Sequence, residues 1–187
     1  LHRALIPIAK ARAGDKVLQI ARAGLESFGG NGYIEEYVMA RLLRDAQVLT
    51  VWEGPENVLA LDLLRVLAKQ GPGDVLAEIE RCLAPVSDPD LQPARGLIRS
   101  GVDDLQTTIS AVATARGDEA QIQAVRLLNH LADLLSAAYL LAEAPGNPHK
   151  REIALLYIDR LSPAPPGQVT AFDRAALDRF ELIMDGA

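Results

Sequence analysis

Apolar residues recur at every third or fourth position along most of the chain, and this period restricts the fold more than any other feature. Ile98, Val102, Leu105, Ile109 and Val112 are spaced 4, 3, 4, 3, and Ile122, Val125, Leu128, Ala132, Leu135 and Tyr139 are spaced 3, 3, 4, 3, 4. Such spacing puts each set on one face of an α-helix, and a repeat near 3.5 suits helices packed side by side. Hydrophobic residues make up 49% of the sequence but aromatics only 4%. The core must therefore be built from Leu, Ala, Val and Ile, a helix-forming set. No segment reads convincingly as a strand and no internal repeat is present. The predicted class is all-α, a helical bundle.

The helices can be placed from their stops. Leu1, Leu5, Ala9, Ala13, Val17, Ala21, Leu25 and Phe28 predict a helix over residues 1–28 with that face buried. Gly29 and Gly30 end it, since glycine takes the left-handed conformation of helix termini. Gly14 and Gly24 each weaken this helix by ~1 kcal/mol relative to Ala, and mark close packing against a neighbour. Residues 31–52 read as a short helix followed by a loop or extended segment. Gly54-Pro55 restarts a helix, with proline at its first position, and Val58, Leu61, Leu64 and Ala68 form its stripe. Gly71-Pro72-Gly73 ends it. A shorter helix near 74–84 precedes a Pro/Asp-rich link. The two long helices follow, joined at "ARGDEA" as antiparallel neighbours. Further helical pieces are expected near 149–160 and 170–184, separated by "SPAPPGQ".

Charge and composition remove several function classes. The net charge is −6, with nine Lys/Arg against eight Asp/Glu in residues 1–70 and ten against seventeen in 71–187. That balance works against nucleic-acid binding. One cysteine, Cys82, cannot form an internal disulfide, which suits a reducing cytoplasm. No apolar run approaches the ~20 residues of a membrane helix. Residue 1 is Leu and lies inside a helical pattern, so the chain is expected to be a fragment or processed product. His2, His130 and His149 share no metal-ligand spacing. No Gly-x-Ser-x-Gly nucleophile motif occurs.

Two short stretches stand out from the plain helical sequence. "GGNGY" (29–33) is not a dinucleotide fingerprint: Gly30 and Gly32 are followed by Glu35 rather than glycine, and the stretch follows a helix. It reads as a helix cap, or as a place where backbone closely approaches a ligand. Trp52-Glu53-Gly54-Pro55 puts a carboxylate among apolar residues just before a helix. Apolar packing destabilises the charged form and makes a glutamate a stronger base. The positive end of the helix acts the other way. Taken alone, Glu53 reads either as a base or as a first-turn acid complementing the helix dipole.

Taken together, these stretches resemble a known family. In "ESFGGNGYIEEYVMARLLRD", Glu26, Gly29, Gly30, Gly32, Tyr33, Glu36, Arg41 and Asp45 meet every position of the C-terminal signature of the acyl-CoA dehydrogenases. "TVWEGPENVLALDLLR" is similar to that family's Tyr/Trp-Glu-Gly-Thr segment and stands at the expected distance. The resemblance covers residues 1–70. The acidic remainder, 71–187, looks more like the extended C-terminal region of the branch that includes the AidB-like alkylation-response proteins.

The resemblance implies two parts: the last half of the family's C-terminal helical bundle over 1–70, and a helical extension over 71–187. It implies FAD as cofactor and α,β-dehydrogenation of an acyl-CoA thioester. Glu53 would be the catalytic base and Gly54 would lie at the substrate. Glu26, Gly29, Gly30, Pro55 and Asn57 would contact FAD, the first three on a neighbouring subunit's cofactor in a homo-oligomer. An electron-transfer acceptor would reoxidise the flavin. Glu26 stands where Gln is common and Pro55 where Thr is common. Arg41, Arg44 and Asp45 read as a structural ion-pair cluster that fixes the loop. The chain alone is expected to be inactive. The alternatives are an AidB-like protein that protects nucleic acid and a non-catalytic oligomerisation module.

Overall fold

A computed structural model describes residues 1–114, 117–161 and Arg174. All the regular elements of the described residues are helical, with no strand: α1 (His2–Ser27), α2 (Gly30–Tyr33), α3 (Val38–Val48), α4 (Glu56–Gln70), α5 (Gly73–Leu83), a 3-10 turn (Pro89–Leu91), α6 (Gln92–Thr114), α7 (Gly117–Glu143) and α8 (Pro148–Asp159). The all-α expectation holds. The centre of the "ARGDEA" turn, the "SPAPPGQ" link and the helix expected near 170–184 lie outside the described residues, apart from Arg174. No described helix is long and apolar enough to cross a membrane.

The chain forms two compact units. The first comprises Leu1–Gly71 with Ala111–Ala132, and the second comprises Pro72–Ser110 with the residues from Asp133 onward. In the first, α1 packs against α3 and α4, and the single turn α2 lies against α1 and α3. Ala4, Ile8, Ala11, Ala40, Ala46, Leu59, Leu63 and Leu67 are buried there, as are Leu127, Leu128 and Leu131 of α7. Each buried leucine contributes about 1.5–3 kcal/mol of transfer free energy. Polar ties join the same elements: Arg3 to Asp62 at 3.0 Å, and the Asn129 amide donating to Glu56 at 2.8 Å.

In the second unit, α6 and α7 approach so closely that a Cβ on Gly101 would stand 2.6 Å from Leu134 Cδ2. Arg99 of α6 pairs with Glu80 of α5 at 3.0 Å. The Tyr139 hydroxyl donates to Glu78 at 2.7 Å, and Arg81 binds the same carboxylate through two bonds of 2.8 and 2.6 Å. Arg151 ties α8 to the link through Asp88 and Asp90 at 2.7 and 3.0 Å.

The structure corrects which faces are buried. In α1 the inward positions are Ala4, Pro7, Ile8, Ala11 and Gly14, while Ala9 and Ala13 are exposed and Phe28 is 54% exposed. In α4 they are Leu59, Ala60, Leu63, Val66 and Leu67, while Val58 and Ala68 face out. In α7 the burial is far wider than one stripe, yet Ile122 and Tyr139 are exposed. Helices this rich in Leu and Ala carry several apolar ladders at 3–4 spacing, and the neighbouring element decides which one is used. Further, α3 runs unbroken through Val48, so "AQV" is helical and neither loop nor strand. The weak helix propensity of β-branched residues is overridden here by packing of Ala40 and Ala46. Pro55 is the N-cap of α4, one residue before the expected position.

Candidate functional site

The glycine turn is built where α1 stops. Phe28 caps the helix in αR geometry, and Gly29 then turns with φ 57° and ψ −138°, which a side chain would resist. The three glycines of "GGNG" have three different surroundings. A Cβ on Gly32 would collide with the Leu25 carbonyl oxygen and stand 3.0 Å from its carbon and 3.2 Å from Phe28 Cβ. Gly32 is therefore small because α2 sits directly on the end of α1. Gly29 and Gly30, in contrast, have no atom within 4 Å of where a Cβ would be, and both are exposed. Glu26, one turn earlier, is exposed and accepts from Arg22 Nε at 2.9 Å, which offsets its charge locally.

The second cluster is built between α3 and α4. After Val48 the chain makes consecutive turns over 49–53, then enters α4 through Pro55. Glu53 has φ 57° and is the one non-glycine among the described residues with positive φ; Gly54 follows at φ 105°. Left-handed geometry at a non-glycine residue costs about 1–2 kcal/mol. The surrounding structure holds it in place. Lys10 Nζ of α1 donates to the Gly54 carbonyl at 2.7 Å. Gly14, one turn on, lets the Leu49 carbonyl approach to where a Cβ would be only 3.1 Å away. Asn57 is exposed and its side-chain oxygen accepts from the Val58 amide at 3.0 Å.

Glu53 is exposed, and Val51 and Trp52 beside it are 60% and 56% exposed. The apolar enclosure expected around the carboxylate is therefore not formed by the described residues of this chain. The same half of the sequence leaves Phe28, Tyr33, Ile34, Tyr37 and Val38 more than two-fifths exposed. Around the glycine turn, Tyr33, Ile34, Glu35, Arg44 and Leu25 line a recess of about 590 Å³.

The structure does not bring all the expected site residues into one pocket. Lys10, which touches the Glu53 turn, and Glu26, beside the glycine turn, are sixteen residues apart on α1. At 1.5 Å per residue, the two clusters are about 24 Å apart along the helix. The expected ion-pair cluster also divides. Arg41 pairs with Asp45 within α3 at 3.9 Å, whereas Arg44 binds Glu35 across the α2–α3 loop through two bonds of 2.7 and 3.1 Å. The Arg44 guanidinium, through these hydrogen bonds and its charge, holds the Glu35 carboxyl below its ordinary range. Neither Glu35 as the loop's anchor nor Lys10 as the partner of Gly54 was visible in the spacing. An Arg nine residues after a Glu has no fixed helical relation to it. Nothing in a helical period links residue 10 to residue 54.

The family model described as "Acyl-CoA dehydrogenase, C-terminal domain" matches residues 1–68. The chain is 33% identical over 144 residues to acyl-CoA dehydrogenase family member 11 of Caenorhabditis elegans, covering 73% of this chain and 23% of that protein. It is 40% identical over 77 residues to AidB of Escherichia coli K12, covering 41% of this chain and 14% of that one. It is 25% identical over 146 residues to butyryl-CoA dehydrogenase of Syntrophomonas wolfei, covering 74% and 24%. The crystal structure of C. elegans ACDH-11 in complex with C11-CoA superposes with a TM-score of 0.78 at 28% identity, covering 98% of this chain and 33% of that chain. The chain thus spans less than a quarter of the length of these curated relatives.

Proposed function

We propose that this chain, whose residues 1–68 match the family model of the acyl-CoA dehydrogenase C-terminal domain, supplies the catalytic base and part of the flavin-binding surface of an FAD-dependent oxidoreductase that introduces an α,β double bond into an acyl-CoA. One observation carries the reading: Glu53 is held with φ 57° at an exposed turn. Strained backbone of this kind persists only where the surroundings over-determine it, and such residues cluster at active sites. A merely structural first-turn acid needs no such geometry.

The chemistry follows from the residue types. The thioester carbonyl acidifies the α-carbon. The Glu53 carboxylate accepts the α-proton; the electrons of the broken C–H bond form the double bond as the β-hydrogen departs as hydride. Bound FAD supplies the two-electron acceptor for that hydride. Val51 and Trp52 flank the carboxylate with apolar surface. Once covered by substrate and by the rest of the protein, they exclude water from Glu53 and strengthen it as a base. Gly54, next along the chain from the base, would lie at the substrate.

The chain also fits the cofactor. Gly29 and Gly30 present bare backbone with open space around it, and the Glu26 charge is offset by Arg22, so a diphosphate can approach. Pro55 and Asn57 stand beside the base, and both are exposed. The separation of about 24 Å between the two clusters is long for one cofactor to bridge through this helix. Two flavins in a homo-oligomer, one at each cluster, account for it, and the exposed Tyr33, Tyr37 and Trp52 are what a subunit boundary would cover. An electron-transfer acceptor completes the cycle.

The test is rapid-mixing reduction of the flavin in the full-length protein by straight-chain acyl-CoAs from C4 to C16. Glu53→Gln is expected to slow reduction by about 10²–10⁴-fold, the range of a general base, while flavin content is retained. An unchanged rate would remove Glu53 from the reaction.

A further inference from the structure

The turn that carries Glu53 is gripped at both ends from α1. Lys10 and Gly14 lie one turn apart on the same face of that helix. Gly14 bears on the Leu49 carbonyl where the turn begins. Lys10 Nζ holds the Gly54 carbonyl, where the turn ends, at 2.7 Å in a part-buried position. Lys10, Gly14, Leu49, Thr50 and Glu56 line a cavity of about 300 Å³ beneath the turn.

The Lys10 bond matters because of which peptide it holds. Glu53 and Gly54 turn in succession at φ 57° and 105°; glycine accepts such an angle freely, so the strain sits at Glu53. The next peptide joins Gly54 to Pro55 and has no N–H, so its carbonyl is the one group by which it can be hydrogen-bonded. A charged donor makes that bond short and directional. Releasing the carbonyl frees the Gly54–Pro55 peptide to rotate, and the strain at Glu53 can then relax through the freely turning Gly54. The Glu53 side chain, one residue earlier, then loses its aim.

We propose that Lys10 is a positioning residue for Glu53: its ammonium fixes the Gly54 carbonyl and so orients the carboxylate toward the substrate α-carbon. This rests on the reading of Glu53 as the base. In this role Lys10 acts on the carboxylate through the backbone it holds.

The test uses the full-length flavoprotein and the acyl-CoA of the C4–C16 panel that turns over fastest. Two quantities are read: steady-state kcat and KM, and deuterium wash-in at the substrate α-carbon in D2O, which reports proton removal apart from flavin reduction. Lys10→Met is expected to lower kcat and wash-in together by about 10²-fold, the cost of a misplacement near 1 Å, with KM little changed. Lys10→Arg, which restores a charged donor, should recover most of the loss. Added to Glu53→Gln, Lys10→Met should cost nothing further, because it acts only through that carboxylate. Should Lys10→Met lose its flavin, Lys10→Gln, with a neutral donor on a shorter stem, makes the same comparison. Undiminished kcat and wash-in, a loss confined to KM, or an equal loss in the Glu53→Gln background would each overturn the proposal. If Glu53→Gln abolishes wash-in and Lys10→Met does not, only the role of Lys10 is lost. If Glu53→Gln leaves wash-in intact, the base is wrongly assigned and both readings fall.

Discussion

Gly30 and Gly32 differ by two positions in the sequence and should respond to alanine in opposite directions. At Gly32 the added methyl meets backbone: the Leu25 carbonyl, with its carbon at 3.0 Å, and Phe28 Cβ at 3.2 Å. That carbonyl also accepts the Phe28 amide at 3.1 Å where α1 ends, so it cannot move without loosening the cap. Overpacking of this kind costs about 3 kcal/mol, the upper part of the usual range. Alanine returns about 1 kcal/mol through helix propensity, leaving about 2 kcal/mol of net destabilisation. For a chain of 187 residues this lowers the melting temperature by about 4–8 °C. At Gly30 no atom lies within 4 Å and φ is not left-handed. Alanine there should stabilise by about 0.5 kcal/mol by restricting the unfolded chain. On the proposed flavin contact at Gly29 and Gly30, the same methyl should still weaken FAD binding in the full-length protein, because it occupies the bare backbone surface. Thermal and urea unfolding of both variants, followed by circular dichroism, measures the difference. Two variants within ~0.5 kcal/mol of each other, or in reversed order, would show that α2 does not sit on the end of α1 as described.

Glu53→Gly should make the protein more stable and, if Glu53 is the proposed base, abolish turnover of the full-length enzyme. It relieves about 1–2 kcal/mol of left-handed strain and adds about 0.5–1 kcal/mol of chain entropy cost, for a net gain near 0.5–1 kcal/mol; a lower urea midpoint would show that φ 57° is unstrained. The second unit should show a defined pH window. Hydrogen bonds from Arg81, then Tyr139, hold the Glu78 carboxyl down at about 2, against an ordinary 4.5. A depressed pKa contributes stability that is complete above 4.5 and lost as pH falls towards 2. Tyr139 is pushed up to about 12, first by its hydrogen bond to Glu78 and then by burial. A raised pKa contributes stability that is complete below its ordinary 10 and lost as pH rises towards 12. Tyr139→Phe should therefore flatten the alkaline limb and shrink the acid limb of the urea midpoint against pH; unchanged limbs would contradict the Glu78–Tyr139 bond.

Much of the architecture was readable without the structure, for a local reason. The long helices α6 and α7, the stop at Gly71 with φ 73°, and the end of α1 before Gly29 all follow from spacing and from glycine's conformational freedom. The buried faces were not readable. Val58, Leu61 and Leu64 are as regular a ladder as Leu59, Leu63 and Val66, yet the second set is buried. The extent of α3 was missed because its propensity is weak and its packing against α1 is strong. Of the site, the residue types could be recognised, but not the contacts that hold them: Glu35 with Arg44, and Lys10 with Gly54.

The sequence alone determined that this chain is helical, where α1 and α4 stop, and that Glu53 and the glycine turn differ from their surroundings. Each of these is set by neighbours within a few residues, through the 3.6-residue turn and the backbone limits of glycine and proline. Only the tertiary structure decided which ladder each helix buries, that Glu53 is strained and exposed, and that a lysine 44 residues away holds its turn. Those outcomes depend on which surfaces meet across long stretches of chain, and a local period carries no information about the partner.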